Sequence, residues 1–325
     1  MITEFIKSDA SPNFDVVFID EAQDLSQTQW SMAKSIWDKT QDTYLAGDDD
    51  QAIFRWAGAD VDSFITQKGK ILNLTQSYRI PKVVHDVAMG IVRRISKRIY
   101  KDWLPKTEKG FLSHYHSFKD IDMSKGDWMV LARTKHMLND VEKVLHSKGL
   151  FYKNKFKENY EQDLYDAIMD WEELRKGKSI NADQIIRIAS YMTPSHYQKE
   201  ELQYLDKESF FNMEELRNKK GLNTDKVWYE AFDAAAEQKV RYIRRMREND
   251  EQLNKPPRIF LSTIHGVKGG ECDNVVLLTD LSLNTQRNFE RNPDDENRLF
   301  YVGATRTKNH LHIVRPKDIY KGYKI

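Results

Sequence analysis

A single cysteine, Cys272, is all this chain of 325 residues carries, so a disulfide framework is excluded and a reducing compartment suits it. Long apolar runs are also missing. None approaches the roughly 18 residues that a membrane-spanning helix requires. Nothing at the start reads as a signal peptide, and a cytoplasmic setting is expected. Charge of one sign is absent as well: 51 Lys and Arg against 50 Asp and Glu leave a net +1. Any contact with nucleic acid must therefore come from a local groove, not from a globally basic body. What is present is a chain with 40% hydrophobic and 31% charged residues, long enough for two modest domains with real cores.

The organising stretch runs from Asp15 to Gln51. Val16, Val17, Phe18 and Ile19 form a short apolar run that reads as a fully buried strand of a parallel sheet. Asp20 and Glu21 stand at its C-terminal end, where open α/β sheets place ligands. A second apolar segment, Thr43 to Ala46, opens into Gly47-Asp48-Asp49-Asp50-Gln51. One acidic strand end is as easily a solvated turn. Two of them, the second with a Gln, point to a magnesium-nucleotide site.

Phe18-Ile19-Asp20-Glu21-Ala22-Gln23-Asp24 resembles the Walker B motif of UvrD-like superfamily 1 helicases. The segment from Gly47 to Ala59, with Phe54-Arg55-Trp56, resembles the motif that follows it in that family. Where the family commonly has Arg just after this Trp, Ala57 follows here and Arg55 precedes. Gln76-Ser77-Tyr78-Arg79 is similar to the family's Gln-Asn-Tyr-Arg segment, with Ser77 in place of Asn. Ile264-His265-Gly266-Val267-Lys268-Gly269-Gly270-Glu271 resembles its Thr-x-His-x-x-Lys-Gly-x-Glu motif, Gly270 standing for a usual apolar residue. Glu296 to Arg306 resembles the last motif, with its Tyr-Val-x-x-Thr-Arg core.

The resemblance implies RecA-like parallel-sheet α/β domains that bind ATP and Mg2+ and move on single-stranded or partly duplex DNA, 3′→5′. It implies that Asp20 positions the magnesium, Glu21 acts as general base and Gln51 senses the γ-phosphate. Arg79 and Arg306 would neutralise transition-state charge, Arg306 as the arginine finger. Tyr78 would lie on the adenine, Glu271 would bind the ribose, and the Gly269 loop would approach a phosphate. Trp56 and Phe54 would meet DNA bases, and His265 the DNA strand.

Along the chain, residues 1–14 read as a stub, Thr28 to Lys39 as a helix, and Lys70 to Leu74 as the last strand of a first domain. Pro81 opens an amphipathic stretch running to about Arg98. Its basic side, with Arg93, Arg94, Lys97 and Arg98, is equally a solvated face or a DNA-facing one. Trp128 to Ala132 is a strand, and Lys135 to Lys148 a helix ending at Gly149. Residues 151–255 show helical periodicity and no clear strand, as an inserted helical subdomain would. Within them Lys239 to Arg247 is the most basic stretch, a solvated helix face or a DNA contact. Ile259 to Thr263, Asn274 to Leu278 and Leu311 to Val314 complete the strands. The expected division is 1–75 for the C-terminal part of a first RecA-like domain, 76–150 with 256–325 for a second, and 151–255 for the insertion.

A motor of this kind also needs a phosphate-cradling loop, Gly-x-x-x-x-Gly-Lys-Ser/Thr. Gly177-Lys178-Ser179 does not supply it, since position 172 is Glu and Asp163 to Lys176 reads as a helix capped by Gly177. With Asp20 only 19 residues from Met1, the loop is expected on a separate N-terminal helicase fragment or a longer gene product, and the chain alone is expected to lack ATPase activity. Two classes of function stay open: part of a DNA motor, or a non-catalytic nucleic-acid-binding remnant. The set Asp20, Glu21, Gln51, Arg79, Glu271 and Arg306 favours the motor, because a remnant has no physical need for a base and two fingers.

Overall fold

The computed structural model describes residues 1–8, 11–157, 162–198, 205–206, 208–251, 255–318 and 320–325. Two compact units emerge, one from residues 1–141 and 259–325, the other from 142–258. No helix among the described residues is long and apolar enough to cross a membrane.

The first unit holds two parallel sheets. Strands β1 (Val16–Ile19) and β2 (Asp42–Leu45) pair in register, Val16 with Asp42 through Ile19 with Leu45. The helix Gln27–Trp37 joins them and starts at a capping box. There Gln29 N donates to Ser26 Oγ (3.4 Å) and Ser26 N donates to the Gln29 Oε1 (2.8 Å). The expectation of a fully buried β1 is not met. Phe18 is 75% and Tyr44 54% exposed, and their rings stack on that open face with centroids 5.0 Å apart. A parallel sheet is buried only when strands flank it and helices cover both faces; among the described residues β1 pairs with β2 alone. The same lack of a neighbour explains Lys70 to Leu74. This segment forms no strand, because a strand needs a ladder, and Ile71, Leu72 and Leu74 lie exposed. The N-terminal stretch also differs from its reading, with a helix at Ile2–Ser8.

The larger sheet of this unit contains β3 (Phe111–Tyr115), β4 (Trp128–Ala132), β8 (Ile259–Thr263), β9 (Cys272–Leu278) and β10 (Thr307–Val314). They lie in the order β3-β10-β9-β4-β8, and every pair is parallel. Alternation places Met129, Leu131, Val275, Leu277, Leu311 and Ile313 on one face. That face is covered by Val84, Ala88 and Ile91 of the helix Lys82–Val92 and by Leu299, Phe300 and Val302 of the helix Pro293–Ala304. The architecture is mixed α/β with a large parallel sheet, as RecA-like helicase domains have.

The helix after Pro81 is shorter than its periodicity suggests. Pro81 caps it from outside, with ψ 162°, and it ends at Val92. Three of the four basic residues named beyond it have partners within the first unit. Arg94 donates to the Lys324 carbonyl (2.5 Å), Lys97 pairs with Asp62 (2.8 Å) and Arg98 with Asp50 (2.6 Å).

The second unit is mainly helical, with helices Gln162–Arg175, Ala182–Ala189, Met213–Lys219, Trp228–Ala231 and Glu237–Glu248. Its core gathers Leu164, Ile168, Trp171, Ile185, Phe232 and Ile243. Strands were not expected here, yet three short ones occur: β5 (Tyr152–Asn154), β6 (Ile180–Asn181) and β7 (Phe210–Phe211), the last two antiparallel. Segments of two or three residues carry no readable alternation. Gly177 has φ 88° and follows the helix Gln162–Arg175, so the Gly-Lys-Ser triplet is a helix end and not a phosphate loop. In the basic stretch, Arg241 pairs with Glu237, Arg247 with Glu172, and Arg244 lies 4.6 Å from the Tyr229 ring centre.

Candidate nucleotide and nucleic-acid site

Both strands of the small sheet deliver their polar residues at the C-terminal edge, and local backbone bonds fix the two ends together. Ala46 N donates to the Ile19 carbonyl (2.8 Å), and Ala22 N to that of Ala46 (3.0 Å). Between them Glu21 takes a left-handed conformation, φ 52° and ψ 36°. Such a backbone costs a residue with a Cβ about 1–3 kcal/mol, and strain of this kind collects at functional sites. Glu21 N donates to Asp20 Oδ1 at 2.8 Å, which holds the turn. Gln23, wholly buried, spans the two ends: Nε2 donates to Glu21 Oε2 (2.5 Å) and Oε1 accepts from Asp48 N (3.1 Å). Gly47 is required by this contact, since a Cβ there would stand 2.4 Å from Gln23 Oε1 and 2.9 Å from the Phe64 ring.

The loop after β8 and the end of the helix Pro293–Ala304 bring cations to this edge. Lys268 Nζ lies 3.2 Å from Glu21 Oε2 and pairs with Asp24. Arg306 is buried, and its guanidinium is partly engaged by carbonyls, Nε donating to that of Val302 (2.9 Å) and Nη1 to that of Gly270 (3.4 Å). Its remaining arm, Nη2, donates to Gln51 Oε1 at 3.2 Å. Burial, and then the positive charge of Arg79, lower the Arg306 pKa to about 10, so the group remains charged at neutral pH. Arg79 pairs with Glu271 at 3.7 Å, and its Nε is buried without a hydrogen-bond partner. Tyr78 beside it is 88% exposed. Gly269 turns the loop at φ 85°. The structure thus brings together Glu21, Gln51, Arg79, Arg306 and Glu271, drawn from both halves of the unit.

Asp20 is exposed and committed only on one side, by its Oδ1 bond to Glu21 N. A hard cation that keeps several waters and shares phosphate oxygens needs one such carboxylate. The residues therefore fit a magnesium ion bound with a nucleotide. The acidic run Asp48-Asp49-Asp50 is a different matter, because Lys101 Nζ already stands among its carboxylates.

Phe54, Trp56 and His265 also converge. The Trp56 ring meets His265 edge-on at 5.9 Å between centroids, and Phe54 lies 6.3 Å from His265. Trp56 is 74% exposed, so it is not a core residue but an aromatic face open to solvent. It borders a cleft of about 370 Å³ whose wall includes Ile53, Arg133, Asn292 and Glu296. Burial, and secondarily Arg133, lower the His265 pKa to about 4, which keeps the ring neutral near pH 7. Arg55 pairs with Asp295 (3.6 Å) on the same border.

Family models match nearly all of this architecture: the UvrD/REP helicase N-terminal domain over residues 3–71 and the UvrD-like helicase C-terminal domain over residues 59–317. The chain belongs to the UvrD-like helicase family. It is similar to the ATP-dependent DNA helicase PcrA of Bacillus subtilis, 26% identical over 136 residues, which is 40% of this chain and 18% of that protein. The PcrA of Staphylococcus aureus is 25% identical over 132 residues, 39% of this chain and 18% of that one. DNA helicase II of Haemophilus influenzae is 30% identical over 117 residues, covering 34% and 16%. The matched segment thus spans less than a fifth of each of these relatives.

Within this UvrD-like frame, several residues at the site escaped the sequence reading. Lys268 lies inside a quoted motif, yet its pairing with Glu21 and Asp24 depends on a loop some 244 residues away. Gln23 had its motif but no contact to mark it. Arg133 and Glu296 are bonded by three hydrogen bonds of 2.7–2.9 Å, and no local pattern signals that pair.

Proposed function

We propose that this chain forms the Walker B side and the arginine-bearing side of an ATP-driven DNA helicase or translocase that moves 3′→5′ on single-stranded DNA. The observation that carries the reading is the bond from Arg306 to Gln51, which closes the two halves of the first unit over Glu21. In this reading residues 1–75 are the rear of one RecA-like domain, residues 76–150 and 256–325 are a second, and 151–255 are the insertion.

Asp20 holds magnesium, which supplies charge neutralisation at the phosphates. Glu21 takes the proton from a water as its oxygen bonds to the γ-phosphorus, and the bond from that phosphorus to the bridging oxygen of ADP breaks. Such a base is worth roughly 10²–10⁴ in rate. Gln51 orients beside the γ-phosphate, and Arg79 and Arg306 balance the charge that spreads over it, where a finger is typically worth about 10³–10⁵. Tyr78 offers its open ring to the adenine and Glu271 a carboxylate to the ribose. Trp56 and Phe54 stack on bases beside a neutral His265.

The loop that would cradle the β- and γ-phosphates is not among these 325 residues. We place it on polypeptide outside them, in a longer product or a separate chain. The open face of β1 and β2, with Phe18 and Tyr44 unpacked, supports a further polypeptide against that sheet. The 325 residues by themselves are expected not to turn over ATP.

The test is ATP hydrolysis by the chain combined with a polypeptide bearing Gly-x-x-x-x-Gly-Lys-Ser/Thr, with and without single-stranded DNA. Glu21→Gln should abolish turnover and spare nucleotide binding; near-normal single-turnover hydrolysis would remove Glu21 from the base role. Trp56→Ala should weaken single-stranded DNA binding by about 1–3 kcal/mol, in a salt-dependent background. Affinity indifferent to Trp56 would place the DNA elsewhere. No turnover with any phosphate-loop polypeptide would favour a binding remnant.

A further inference from the structure

Three consecutive carboxylates, Asp48, Asp49 and Asp50, place oxygens within 4.8 Å of one another, and Asp49 and Asp50 are almost wholly buried. Alone, such a cluster would repel itself, take up protons or recruit a cation. Here the chain itself provides the cation. Lys101 Nζ lies 3.1 Å from Asp48 Oδ1, 2.5 Å from Asp49 Oδ1 and 2.9 Å from Asp50 Oδ2. Those three charges drive the Lys101 pKa upward against the opposing effect of its burial.

The segment that bears Lys101 is itself fixed. Asp294 accepts from Ser96 N (2.9 Å) and Lys97 N (3.1 Å), and Ile99 N donates to Asp49 Oδ2 (2.8 Å). Arg98 grips Asp50 with two bonds, 2.7 and 2.6 Å. Arg298 links the backbone on both sides, donating to the carbonyls of Asp49 (2.8 Å) and Lys97 (2.5 Å).

What this fixes is Gln51. Asp48 Oδ1 faces Lys101 and also accepts from Asp50 N at 3.1 Å, while Asp48 Oδ2 accepts from Gln51 Nε2 at 2.7 Å. Gln51 Oε1 in turn accepts from Arg306 Nη2. An amide has two ends that can exchange places by rotation about its last side-chain torsion. The carboxylate on one side and the guanidinium on the other select one orientation, with the oxygen toward Arg306. We propose that Lys101 is a positioning residue for Gln51. It acts through Asp48, and the cation of the three-aspartate cluster is its ammonium group. The kinetic part of this inference rests on the ATPase reading above; the placement of the amide does not.

The test has two arms. The first uses the chain with 15N-labelled glutamine, the Gln51 side-chain amide signal being assigned by its loss in Gln51→Ala. Lys101→Met should move that signal toward the position of a solvated glutamine, and Lys101→Arg, which keeps the charge, should bring it back toward wild type. Lys101→Met combined with Asp49→Asn removes one repelling carboxylate and protects the fold. It should still show the displaced Gln51 signal, because Asp48 still lacks its ammonium partner and keeps only the bond from Asp50 N. An unmoved signal in Lys101→Met overturns the proposal. So does a wild-type signal in the combined variant, which would make overall charge balance the role of Lys101. If Lys101→Met does not fold, the combined variant decides alone. The second arm measures hydrolysis by the complete phosphate-loop-bearing assembly. Lys101→Met should lower kcat by about 10²-fold, the cost of a small misplacement of a catalytic group, with KM for ATP unchanged, and it should cost nothing further in a Gln51→Ala background. Losses that multiply in that double variant refute the coupling. A wild-type assembly that hydrolyses nothing refutes the ATPase reading, and the amide signal still decides the positioning role.

Discussion

Removing Arg133 tests how the wall of the Trp56 cleft is held. Arg133 follows the last residue of β4, and Glu296 lies in the first turn of the helix Pro293–Ala304. Three hydrogen bonds join them, Nε to each carboxylate oxygen at 2.9 Å and Nη2 to Oε1 at 2.7 Å. Glu296 is only 3% exposed, so Arg133→Met would leave a carboxylate without its counter-charge in the interior. Breaking a buried pair from one side typically costs about 3–5 kcal/mol, whereas replacing both partners by apolar groups is often neutral or stabilising. Arg133→Met is therefore expected to destabilise the first unit by about 3–5 kcal/mol. Arg133→Met with Glu296→Leu should return to within about 1 kcal/mol of wild type. Because the chain has two units, a single melting curve does not isolate this effect. Hydrogen exchange at the buried β4 amides of Val130 and Leu131 does, since they open with the unit that contains the pair. His265 supplies a second signal. Arg133 is the lesser cause of its low pKa and burial the greater, so in Arg133→Met the titration midpoint should rise above about 4 and stay below 6.5. A single variant that costs less than about 1 kcal/mol, or a double variant no better than the single, would refute the reasoning.

Two further outcomes follow from the same geometry. His312 is buried, with Nδ1 3.2 Å from the Tyr115 hydroxyl and Nε2 unpartnered, and burial, then His310, lower its pKa to about 4. Its unfolded value of 6.5 is higher, so the unfolded chain binds the proton first; the stability conferred by the neutral ring is fully present above pH 6.5 and is lost as pH falls toward 4. The loss amounts to about 3 kcal/mol, and His312→Phe should flatten this part of a stability–pH profile followed by exchange at β10; a profile unchanged by the substitution would acquit His312. Gly47→Ala should push Gln23 off Glu21 and Asp48 and cost about 1–3 kcal/mol as overpacking, read by hydrogen exchange at the Ala22 and Ala46 amides that join the two strand ends. A fully stable Gly47→Ala protein would show that the contact yields cheaply.

The order of motifs was legible in the chain because each is a local pattern. An apolar run ending in carboxylates makes β1 and the Asp20-Glu21 turn, and the same logic makes β2 and the Asp48 loop. The uninterrupted run Trp128 to Ala132 is a fully buried strand, as continuous apolarity implies. The helix Leu138–Lys148 stops before Gly149, whose φ of 63° only glycine adopts without strain. Even the decoy at Gly177 was readable, since a helix pattern runs straight into it.

Only the tertiary structure decided what those patterns meet. Whether an apolar strand is buried depends on neighbours that its own residues do not name, and so Phe18 lies open and Lys70 to Leu74 forms no strand. Partner choice among charges is equally invisible along the chain, because a cation looks the same whether it faces water or a carboxylate. Arg98 and Lys101, which read as members of a basic stretch or as nothing in particular, are the counter-ions of Asp48, Asp49 and Asp50. Gln51 and Arg306 stand 255 positions apart and meet because the helix Pro293–Ala304 packs against the Asp49–Gln51 turn, a contact between the two sheets that no local pattern announces.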